Sequence, residues 1–386
     1  MNLGLFFSPV EESIYQDLKE YRSFYKSIRV FEEKMPKLDQ AQIALIGITE
    51  NRGTTTNTGV DQAAYEIRKK LYRLKKGSGP YKVVDLGNLN SGMDLNETNL
   101  RLKEVCEFLI TQNILPIIFG GSHDIDFGQY CAYEGMEKLI NVLNVDAFID
   151  LEDVNQASMS KSHIQRIILH DPNYLFHYCH LAYQSYLTDP VSLELLSKMY
   201  FEAFRIGEMR TNISEMEPYI RDADMLSFDI TAIKSSDAPG NANAQPFGLT
   251  GEEACQICWY AGLNEKISSA GFYEYNPSKD DGNLKTASVT ATMIWYFIEG
   301  YYNRKDTLDY KSNQYMRYVV SMPSEPETIV FYKNIRSEKW WMEIASQFED
   351  NRYDRNIVIP CSYSDYETAN KGEVPERFIH AQSKYY

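Results

Sequence analysis

The chain lacks the features that mark membrane proteins, nucleic-acid-binding proteins and small secreted proteins. It has no run of about 18 apolar residues, the length that a membrane-spanning helix needs. Lys and Arg form no dense cluster and the formal net charge is −15, so neither nucleic acid nor an anionic membrane is an expected partner. The six cysteines do not form a short disulfide framework, and the N-terminus has no typical signal peptide. These absences predict a cytoplasmic protein with free thiols and no membrane span.

The composition that remains is that of an ordinary globular protein with alternating strands and helices. Hydrophobic residues make up 44% of the 386 residues and charged residues 24%, enough for a large core. Apolar runs predict strands at 42–48, 82–86, 114–119, 139–145, 204–207, 225–229 and 272–275, and helical spacing predicts helices at 60–74, 97–112 and 251–262. This alternation predicts a three-layer α/β fold with a mostly parallel sheet, in which ligands gather at the carboxyl ends of the strands.

The two ends of the chain differ in composition from the middle. Residues 1–40 are rich in Tyr, Phe, Glu and Lys and are predicted to form a helical N-terminal extension. Residues 41–303 are predicted to form the α/β domain. Residues 304–386 are predicted to be a C-terminal extension that packs on it, with a strand at 328–332 and an aromatic anchor at Trp340 and Trp341. Both extensions are candidate surfaces for a protein partner, and homo-oligomerisation stays open.

Three short segments carry most of the ligands for a metal site. They are Gly120-Gly121-Ser122-His123-Asp124, Asp146-Ala147-Phe148-Ile149-Asp150 and Ser227-Phe228-Asp229-Ile230-Thr231, and each follows an apolar run. Together they offer one imidazole and three carboxylates, from His123, Asp146, Asp150 and Asp229. This donor set suits a hard or borderline divalent ion such as Mn²⁺.

These segments resemble the motifs of the ureohydrolases, the family of arginase, agmatinase and formimidoylglutamase. The family pattern of Gly-Gly-x-His, Asp-Ala-His-x-Asp and Ser-x-Asp-x-Asp is similar to the three segments in order and spacing. Ser236 to Gly240 and Gly248 to Thr250 resemble the formimidoylglutamase branch, Glu274 to Pro277 resembles a further family segment, and the likeness extends from about residue 40 to about residue 303. The resemblance implies an arginase-like α/β/α fold. It also implies hydrolysis of linear amidine or guanidine C–N bonds by a hydroxide held between two metal ions.

The resemblance assigns the ligands of the two ions separately, and the substitutions fall on one ion. It implies that the imidazole and three carboxylates above hold the first ion. The second ion would share two bridging Asp residues of this set but also needs the positions of Phe148 and Thr231, where the family has His and Asp. We therefore expect at most one divalent ion, Mn²⁺ by the resemblance, with Phe148 occupying the second position. The alternative is a site without any ion, its carboxylates satisfied by Lys234, water or backbone.

The resemblance also implies two catalytic candidates. Glu274 matches the carboxylate that reads the cationic amidine or guanidine of the substrate, and a surface ion pair is the alternative role for it. His163 lies thirteen residues after Asp150, where arginase keeps a proton-shuttling His. Asp124 and Asp126 are interpreted as helix caps rather than as partners that orient the imidazole of the first motif.

Two further segments have suggestive spacing but a structural interpretation. The run from His170 to His180 holds three histidines and one cysteine, but its interleaved aromatics favour a packed segment over a zinc site. Cys255 and Cys258 have the spacing of a redox pair. They fall inside a predicted helix, however, and are interpreted as thiols on its packed face.

Two functions from different classes fit this sequence. The first is a degenerate ureohydrolase that has lost most or all hydrolase activity and serves as a binding or assembly module. The second is a formimidoylglutamase-like hydrolase of linear amidines that works with a single metal ion. The loss of ligands for the second ion favours the first function, since a fold does not fix a function. The intact ligand set of the first ion, together with Glu274, keeps the second open, and a small amidine or guanidine is the expected ligand.

Overall fold

The structure is a computed structural model that describes residues 1–18, 22–153, 158–307, 309–344 and 357–385. Its strands are β1 Phe7–Ser8, β2 Arg29–Val30, β3 Ile43–Gly47, β4 Val83–Leu89, β5 Leu115–Phe119, β6 Ile140–Val145, β7 Leu175–Tyr183, β8 Glu202–Arg205, β9 Met225–Asp229, β10 Ser269–Tyr273, β11 Tyr315–Ser321, β12 Thr328–Asn334, β13 Trp340–Ile344 and β14 Ile357–Cys361. Its helices are α1 Glu12–Tyr15, α2 Ala63–Leu71, α3 Leu95–Thr111, α4 Asp126–Cys131, α5 His163–Ile168, α6 Pro190–Lys198, α7 Ile206–Thr211, α8 Glu217–Arg221, α9 Gly251–Leu263, α10 Lys285–Tyr302, α11 Tyr363–Asn370 and α12 Glu376–Tyr385. The strands form one sheet of ten and one of four.

The ten-stranded sheet is parallel except at one edge. Its strands follow the order β1, β4, β3, β5, β10, β9, β6, β7, β8, with β2 also paired to β4. Only β1 is antiparallel to its neighbour among the described strands of this sheet. Helices cover both faces, as parallel sheets require. Ile43 and Leu45 of β3 share a core cluster with residues of α2, α9 and α10, whereas Ala44 and Ile46 share another with residues of α3. This is the predicted three-layer α/β fold.

Most of the predicted elements are confirmed, with their ends shifted by a few residues. The predicted strands correspond to β3, β4, β5, β6, β8, β9, β10 and β12, and the predicted helices to α2, α3 and α9. The strand β7 was not predicted, because its histidines, cysteine and tyrosines interrupt the apolar pattern. It is nevertheless a packed segment, in which His177 is paired with Glu202 at 2.6 Å and His180 lies 3.2 Å from the backbone oxygen of Asp146.

The N-terminal region is not the helical extension that its composition predicts. Within the described residues of 1–40 the longest helix, α1, has four residues, and β1 and β2 both pair with β4. Phe7 pairs with Leu89 in the ladder, and both are buried in one core cluster with Phe31. The apolar residues therefore serve a sheet edge rather than a helix face. The division into 1–40, 41–303 and 304–386, and the partner-binding role of the extensions, stay predictions.

The C-terminal region forms the four-stranded sheet, and Arg221 is one of the residues that join it to the rest of the protein. Strands β11 to β14 are antiparallel and follow one another in sequence order, and they form a core cluster with α11 and α12. The guanidinium of Arg221 donates to the backbone oxygens of Trp340, at 3.1 and 3.2 Å, and of Cys361, at 3.2 Å. It also lies 4.2 Å from the ring centroid of Trp341.

The cysteines are unpaired, as predicted. All six are free, and Cys255 and Cys258 lie on α9, the first half-buried and the second buried. Within the part of the chain that the structure describes, no helix combines the length and the apolar character needed to cross a membrane.

Replacing Arg221 by Ala is expected to loosen the C-terminal sheet. The substitution leaves the carbonyl oxygens of Trp340 and Cys361 without their donor and removes a pairing with Glu217 in which the Arg221 side chain is 5% exposed. We expect a loss of about 3 kcal/mol in the free energy of unfolding, measured by urea titration. The control Lys198→Ala removes only an exposed pair and should change it by less than about 1 kcal/mol. Equally small effects of both variants would show that Arg221 does not join the two parts.

Candidate metal centre

Four neighbouring strands bring the predicted site residues to one edge of the sheet. β5, β10, β9 and β6 lie side by side and run in the same direction. At or just beyond their carboxyl ends lie His123, Glu274, Asp229 and Asp146, respectively. Because the carboxyl ends of parallel strands meet at the same edge, side chains that are distant in sequence converge there.

The turn after β5 depends on two glycines. Gly120 and Gly121 have φ values of +89° and +77°, a backbone conformation that residues with side chains strongly disfavour. A Cβ on Gly120 would also lie 2.7 Å from the backbone oxygen of Ile48. The turn allows the backbone N–H of His123 to donate to Oε1 of Glu274 at 3.0 Å. The first motif therefore fixes the imidazole next to this carboxylate.

The side chains of His123, Asp146, Asp150 and His163 form one compact group, in which one ligand atom from each lies within 4.8 Å of the others. Asp229 joins them, since its Oδ2 lies 3.1 Å from Nδ1 of His123, and Oδ2 of Asp146 lies 3.4 Å from the same nitrogen. Asp150, with 15% of its side chain exposed, is the most accessible member. The structure thus brings together all four predicted metal ligands and adds His163.

The unpartnered atoms of this group fit a divalent ion. Nδ1 of His123, Oδ2 of Asp146 and Nε2 of His163 are buried and have no hydrogen-bond partner. Buried polar atoms are rarely left unpaired, so several that face each other indicate a site suited to a cation. Two ligands at right angles, each about 2.1 Å from an ion, are about 3 Å apart, close to the two distances from His123. His123, Asp146, Asp150 and Asp229 would hold such an ion.

The opposite oxygens of the two shared carboxylates are engaged by Thr231. Its hydroxyl donates to Oδ1 of Asp146 at 2.8 Å, and its backbone N–H donates to Oδ1 of Asp229 at 2.6 Å. Oδ1 of Asp146 also accepts the backbone N–H of Phe148 at 3.0 Å. Hydrogen bonds therefore satisfy the carboxylate oxygens that do not face His123. That the ring of Phe148 fills the second metal position stays a prediction.

The pKa values of the group reflect the burial and mutual repulsion of its carboxylates. Burial, followed by the charge of Asp146, raises the pKa of Asp150 well above its usual range and also raises the pKa of Asp229. Burial disfavours the charged form of His123, but the carboxylates of Asp146 and Asp229 outweigh it and raise the pKa of this imidazole well above its usual value. Protons therefore neutralise the metal-free group, so protons and a metal ion compete for it.

His163 is oriented by Asp126. Its Nδ1 lies 2.8 Å from Oδ2 of Asp126, which also accepts the hydroxyl of Ser227 at 3.0 Å. The centroids of the His163 and His123 rings are 3.9 Å apart, and Nε2 of His163 lies 3.7 Å from Oδ2 of Asp150. Burial outweighs the charge of Asp126 and lowers the pKa of His163, so this ring is neutral. The prediction that Asp126 caps a helix is wrong, since its Oδ2 binds His163 and Ser227 and its Oδ1 has no hydrogen-bond partner.

Glu274 is held by hydrogen bonds rather than by a surface ion pair. Its Oε2 accepts Nδ2 of Asn57 at 2.7 Å, and its Oε1 accepts the N–H of His123. Asn57 and Asn241 also donate to its backbone oxygen, at 2.9 and 2.7 Å, which supports its unusual φ of +67°. Burial, followed by the charge of Asp229, raises the pKa of Glu274 to about 8. This carboxyl group would ionise when a cation lies beside it.

Sequence reasoning missed Asp126, Ser227 and Asn57 as supports of the site. Ser227 belongs to the third motif, and Asn57 lies in the loop after β3, whose carboxyl end is at the same edge of the sheet. Both residues lie at or after strands that end at the same edge of the sheet as the metal ligands, and this position could have identified them from the sequence. Asp126 has no such signal, because its partner His163 is 37 residues further along the chain.

Two other interpretations of nearby residues are also corrected. The ammonium group of Lys234 lies 3.5 Å from Asp237, so it pairs there rather than with the carboxylates of the site. Both carboxylate oxygens of Asp124 are buried without a hydrogen-bond partner, so this residue is not a helix cap.

The family of the chain follows from comparison with known proteins. A model of the Arginase family matches residues 41–299, more than half of the chain. The chain belongs to the Arginase family. Among the relatives of this Arginase-family chain, the formimidoylglutamase of Geobacillus sp. (strain WCH70) is 26% identical over 304 residues, which cover 72% of this chain and 92% of the relative. The formimidoylglutamase of Staphylococcus haemolyticus (strain JCSC1435) is 25% identical over 294 residues, which cover 73% and 94%. The predicted resemblance is confirmed.

Solved structures share the arginase-like fold. Formiminoglutamase from Trypanosoma cruzi, solved with Mn²⁺, has a TM-score of 0.64 at 19% identity and covers 70% of this chain and 100% of that chain. Formimidoylglutamase from Bacillus subtilis has a TM-score of 0.66 at 18% identity and covers 76% and 99%. Arginase from Bacillus caldovelox has a TM-score of 0.56 at 22% identity and covers 69% and 100%. These likenesses confirm the predicted fold class for this Arginase-family chain.

Removing one carboxylate should affect the metal-free and the metal-loaded protein in opposite directions. The pKa of Asp150 is higher in the folded protein than in the unfolded chain, where it is about 3.9. Ionisation of Asp150 therefore destabilises the folded protein, and this destabilisation grows as the pH rises above about 3.9. At mildly alkaline pH with EDTA, we expect Asp150→Asn to raise the free energy of unfolding by about 1 kcal/mol. With Mn²⁺, the unmodified protein should gain stability by mass action, and the variant should gain less because it has lost a ligand.

Urea titrations with EDTA and with Mn²⁺ measure both effects. The control Glu194→Gln removes an exposed carboxylate and should leave both titrations unchanged. Destabilisation by Asp150→Asn in EDTA would contradict the view that these carboxylates need a cation.

Proposed function

We propose that this chain is a single-ion member of the Arginase family that binds a small amidine or guanidine beside the ion. It would serve as a binding or assembly module and carry out little or no binuclear hydrolysis. The observation that carries this proposal is the pair of hydrogen bonds from Thr231 to Asp146 and Asp229. These bonds engage the carboxylate oxygens that a second ion would have to share.

A second divalent ion would find too few ligands beside Thr231. The two shared carboxylates would have to release their hydrogen bonds, and neither the ring of Phe148 nor the neutral hydroxyl of Thr231 supplies negative charge. Hard divalent ions need several charged or strongly polar ligands to replace their water. Two shared carboxylates alone would not hold such an ion tightly.

The first position supports one ion of the Mn²⁺ class. His123, Asp146, Asp150 and Asp229 would be its ligands, and the unpartnered atoms of His123 and Asp146 already face each other. Bound there, the ion would lower the pKa of a coordinated water molecule. The Mn²⁺ in the structure of the formiminoglutamase from Trypanosoma cruzi makes Mn²⁺ the first ion to test.

Glu274 supports an amidine or guanidine as the class of ligand. Each of its carboxylate oxygens accepts one hydrogen bond, from the backbone of His123 and from Asn57, and each retains a further lone pair. A planar cation with two parallel N–H groups matches such a carboxylate in a bidentate way. Because the pKa of Glu274 is raised to about 8, the approach of this cation would also favour the charged form.

A single ion leaves much of the family chemistry without support. In a binuclear site, two ions activate water and stabilise the developing tetrahedral centre from opposite sides. Electrostatic stabilisation of the transition state is usually the largest contribution to catalysis. Thr231 offers neutral donors where the charge of the second ion would lie, so hydrolysis should be slow.

A second candidate function is favoured by His163. This is a formimidoylglutamase-like hydrolase of linear amidines with a single ion, in keeping with the formimidoylglutamases among its relatives. Nε2 of the neutral His163 ring has no hydrogen-bond partner and lies 3.7 Å from Asp150. It is therefore placed to accept a proton from water near that carboxylate.

Metal analysis tests the number of ions. After equilibration with Mn²⁺ and desalting, we expect a single ion per chain, and we expect Asp146→Asn to lose it. The double variant Phe148→His, Thr231→Asp restores the ligands of the second ion, so it should raise the metal content before it raises activity, because the pocket must also fit substrate. The matched control Phe148→Leu, Thr231→Val changes the same positions without adding ligands and should bind no second ion. Two tightly bound Mn²⁺ ions in the unmodified protein would contradict the proposal.

Turnover and ligand binding separate the two functions. With Mn²⁺, we expect no measurable release of urea from arginine or agmatine or of formamide from formimidoylglutamate. Calorimetry should instead detect binding of at least one of these compounds, each of which carries a cationic amidine or guanidine group. Glu274→Gln removes the charge from the hydrogen bonds to the ligand and should weaken binding about tenfold or more, whereas Glu252→Gln on the exposed side of α9 should not.

Two other outcomes would exclude the proposed binding function. Brisk Mn²⁺-dependent turnover that His163→Asn abolishes would establish the second function and exclude the first. The absence of both binding and turnover would rule out both.

A further inference from the structure

A second group of metal-ligand side chains lies outside the site described above. Cys131 ends α4, Glu134 lies in the turn that follows, and His170 lies in the segment between α5 and β7. One ligand atom from each of these residues lies within 4.8 Å of the other two. Neither of the two candidate functions uses any of them.

The local fold explains why these three side chains meet. Glu134 follows Cys131 by three residues along a helical turn, a spacing that places both side chains on the same face. Nε2 of His170 contacts Oε1 of Glu134 and lies 3.9 Å from the sulfur of Cys131. The ring of Phe127 packs edge-on against His170, with centroids 5.2 Å apart, and so fixes the imidazole. A pair of ligands three residues apart, completed by a donor from another segment, is a common arrangement in zinc sites.

The donor set selects a softer ion than the first site does. Zinc binds cysteine sulfur at about 2.3 Å and histidine nitrogen at about 2.0 Å, and it also accepts carboxylate oxygen. Mn²⁺ and Mg²⁺ prefer oxygen ligands, so a thiolate discriminates against them. The side chains of His170 and Glu134 are 22% and 17% exposed, so an ion can reach the group from solvent. The sulfur of Cys131 lies at its buried end.

Lys103 pairs with only one oxygen of the Glu134 carboxylate, so the other oxygen can bind an ion. Its ammonium group pairs with Oε2 of Glu134, whereas His170 contacts Oε1. An ion would therefore take the place of the contact between His170 and Oε1 while Lys103 stays on the other oxygen. The guanidinium of Arg166 packs over the ring of Phe127, 4.2 Å from its centroid.

Binding must release a proton from the thiol. Burial, followed by the charge of Glu134, raises the pKa of Cys131 to about 12, so the metal-free thiol is protonated. Zn²⁺ binding breaks the S–H bond, forms a zinc–sulfur bond and transfers the proton to the buffer.

We propose that Cys131, Glu134 and His170 form a second metal site, which takes a thiophilic divalent ion such as Zn²⁺. Three protein ligands leave a fourth coordination position for water. The site shares no ligand with the Mn²⁺ site, so it stands or falls independently of the function proposed above.

Cobalt spectroscopy of the full-length protein tests this site, because Co²⁺ bound to a thiolate has an intense charge-transfer band in the near ultraviolet. The first site contains no sulfur, so Co²⁺ bound there does not give this band. We expect the band to develop and saturate during titration with Co²⁺ and to disappear when Zn²⁺ is added. Cys131→Ser should abolish it, whereas Asp146→Asn, which removes a ligand of the first site, should leave it intact.

Two further variants test whether the band depends on the proposed ligands rather than on any thiol. Cys255→Ser removes a half-buried thiol elsewhere and should not change the band. His170→Gln keeps the thiol and should weaken Co²⁺ binding at least about tenfold, with circular dichroism to verify folding. The absence of the band in the unmodified protein, its persistence in Cys131→Ser, or unchanged affinity in a folded His170→Gln protein would overturn the proposal.

Discussion

The mutual repulsion of three carboxylates around one imidazole is the constraint on which the site depends. Asp146, Asp150 and Asp229 lie near His123 in the interior, where charges interact more strongly than in water. The order of the strands fixes the approach of Asp146 and Asp229, which lie at the ends of neighbouring strands. A divalent ion or protons must neutralise them, and metal binding is therefore coupled to stability.

Thr231 stabilises two of these carboxylates through the oxygens that do not face His123. Its hydroxyl and its backbone N–H satisfy Oδ1 of Asp146 and Oδ1 of Asp229 without adding charge. A hydrogen bond to a charged group contributes about 1.5–3 kcal/mol, enough to keep these oxygens paired when no ion faces them. One substitution from the family pattern thus removes a ligand that the second ion would need, and its hydroxyl engages Oδ1 of Asp146. The bond to Asp229 comes from the backbone and does not depend on the side chain. Under the proposed function, one ion would occupy the site, and the chemistry that needs two would lack its second ion.

Features that depend on a local pattern are predictable from this sequence. Apolar runs locate β3, β5, β6 and β9, and polar residues directly after three of these strands meet because parallel strands end at a common edge. Features that depend on distant pairing are not predictable. β1 and β2 have two residues each and become strands because β4 offers its edge. The polar residues of β7 hide a buried strand, since their partners lie on other segments. Asp126 looks like a helix cap until His163 is brought to it by the fold.

The central claim concerns the number of ions between the ends of β9 and β6, and anomalous X-ray diffraction from crystals of the Mn²⁺-loaded protein measures it directly. We predict one manganese peak, bonded to Nδ1 of His123 and to Oδ2 of Asp146 and Asp229, with the hydrogen bonds of Thr231 retained. A second peak about 3.5 Å from the first, bonded to Oδ1 of Asp146 and Oδ1 of Asp229 with Thr231 displaced, would contradict this claim.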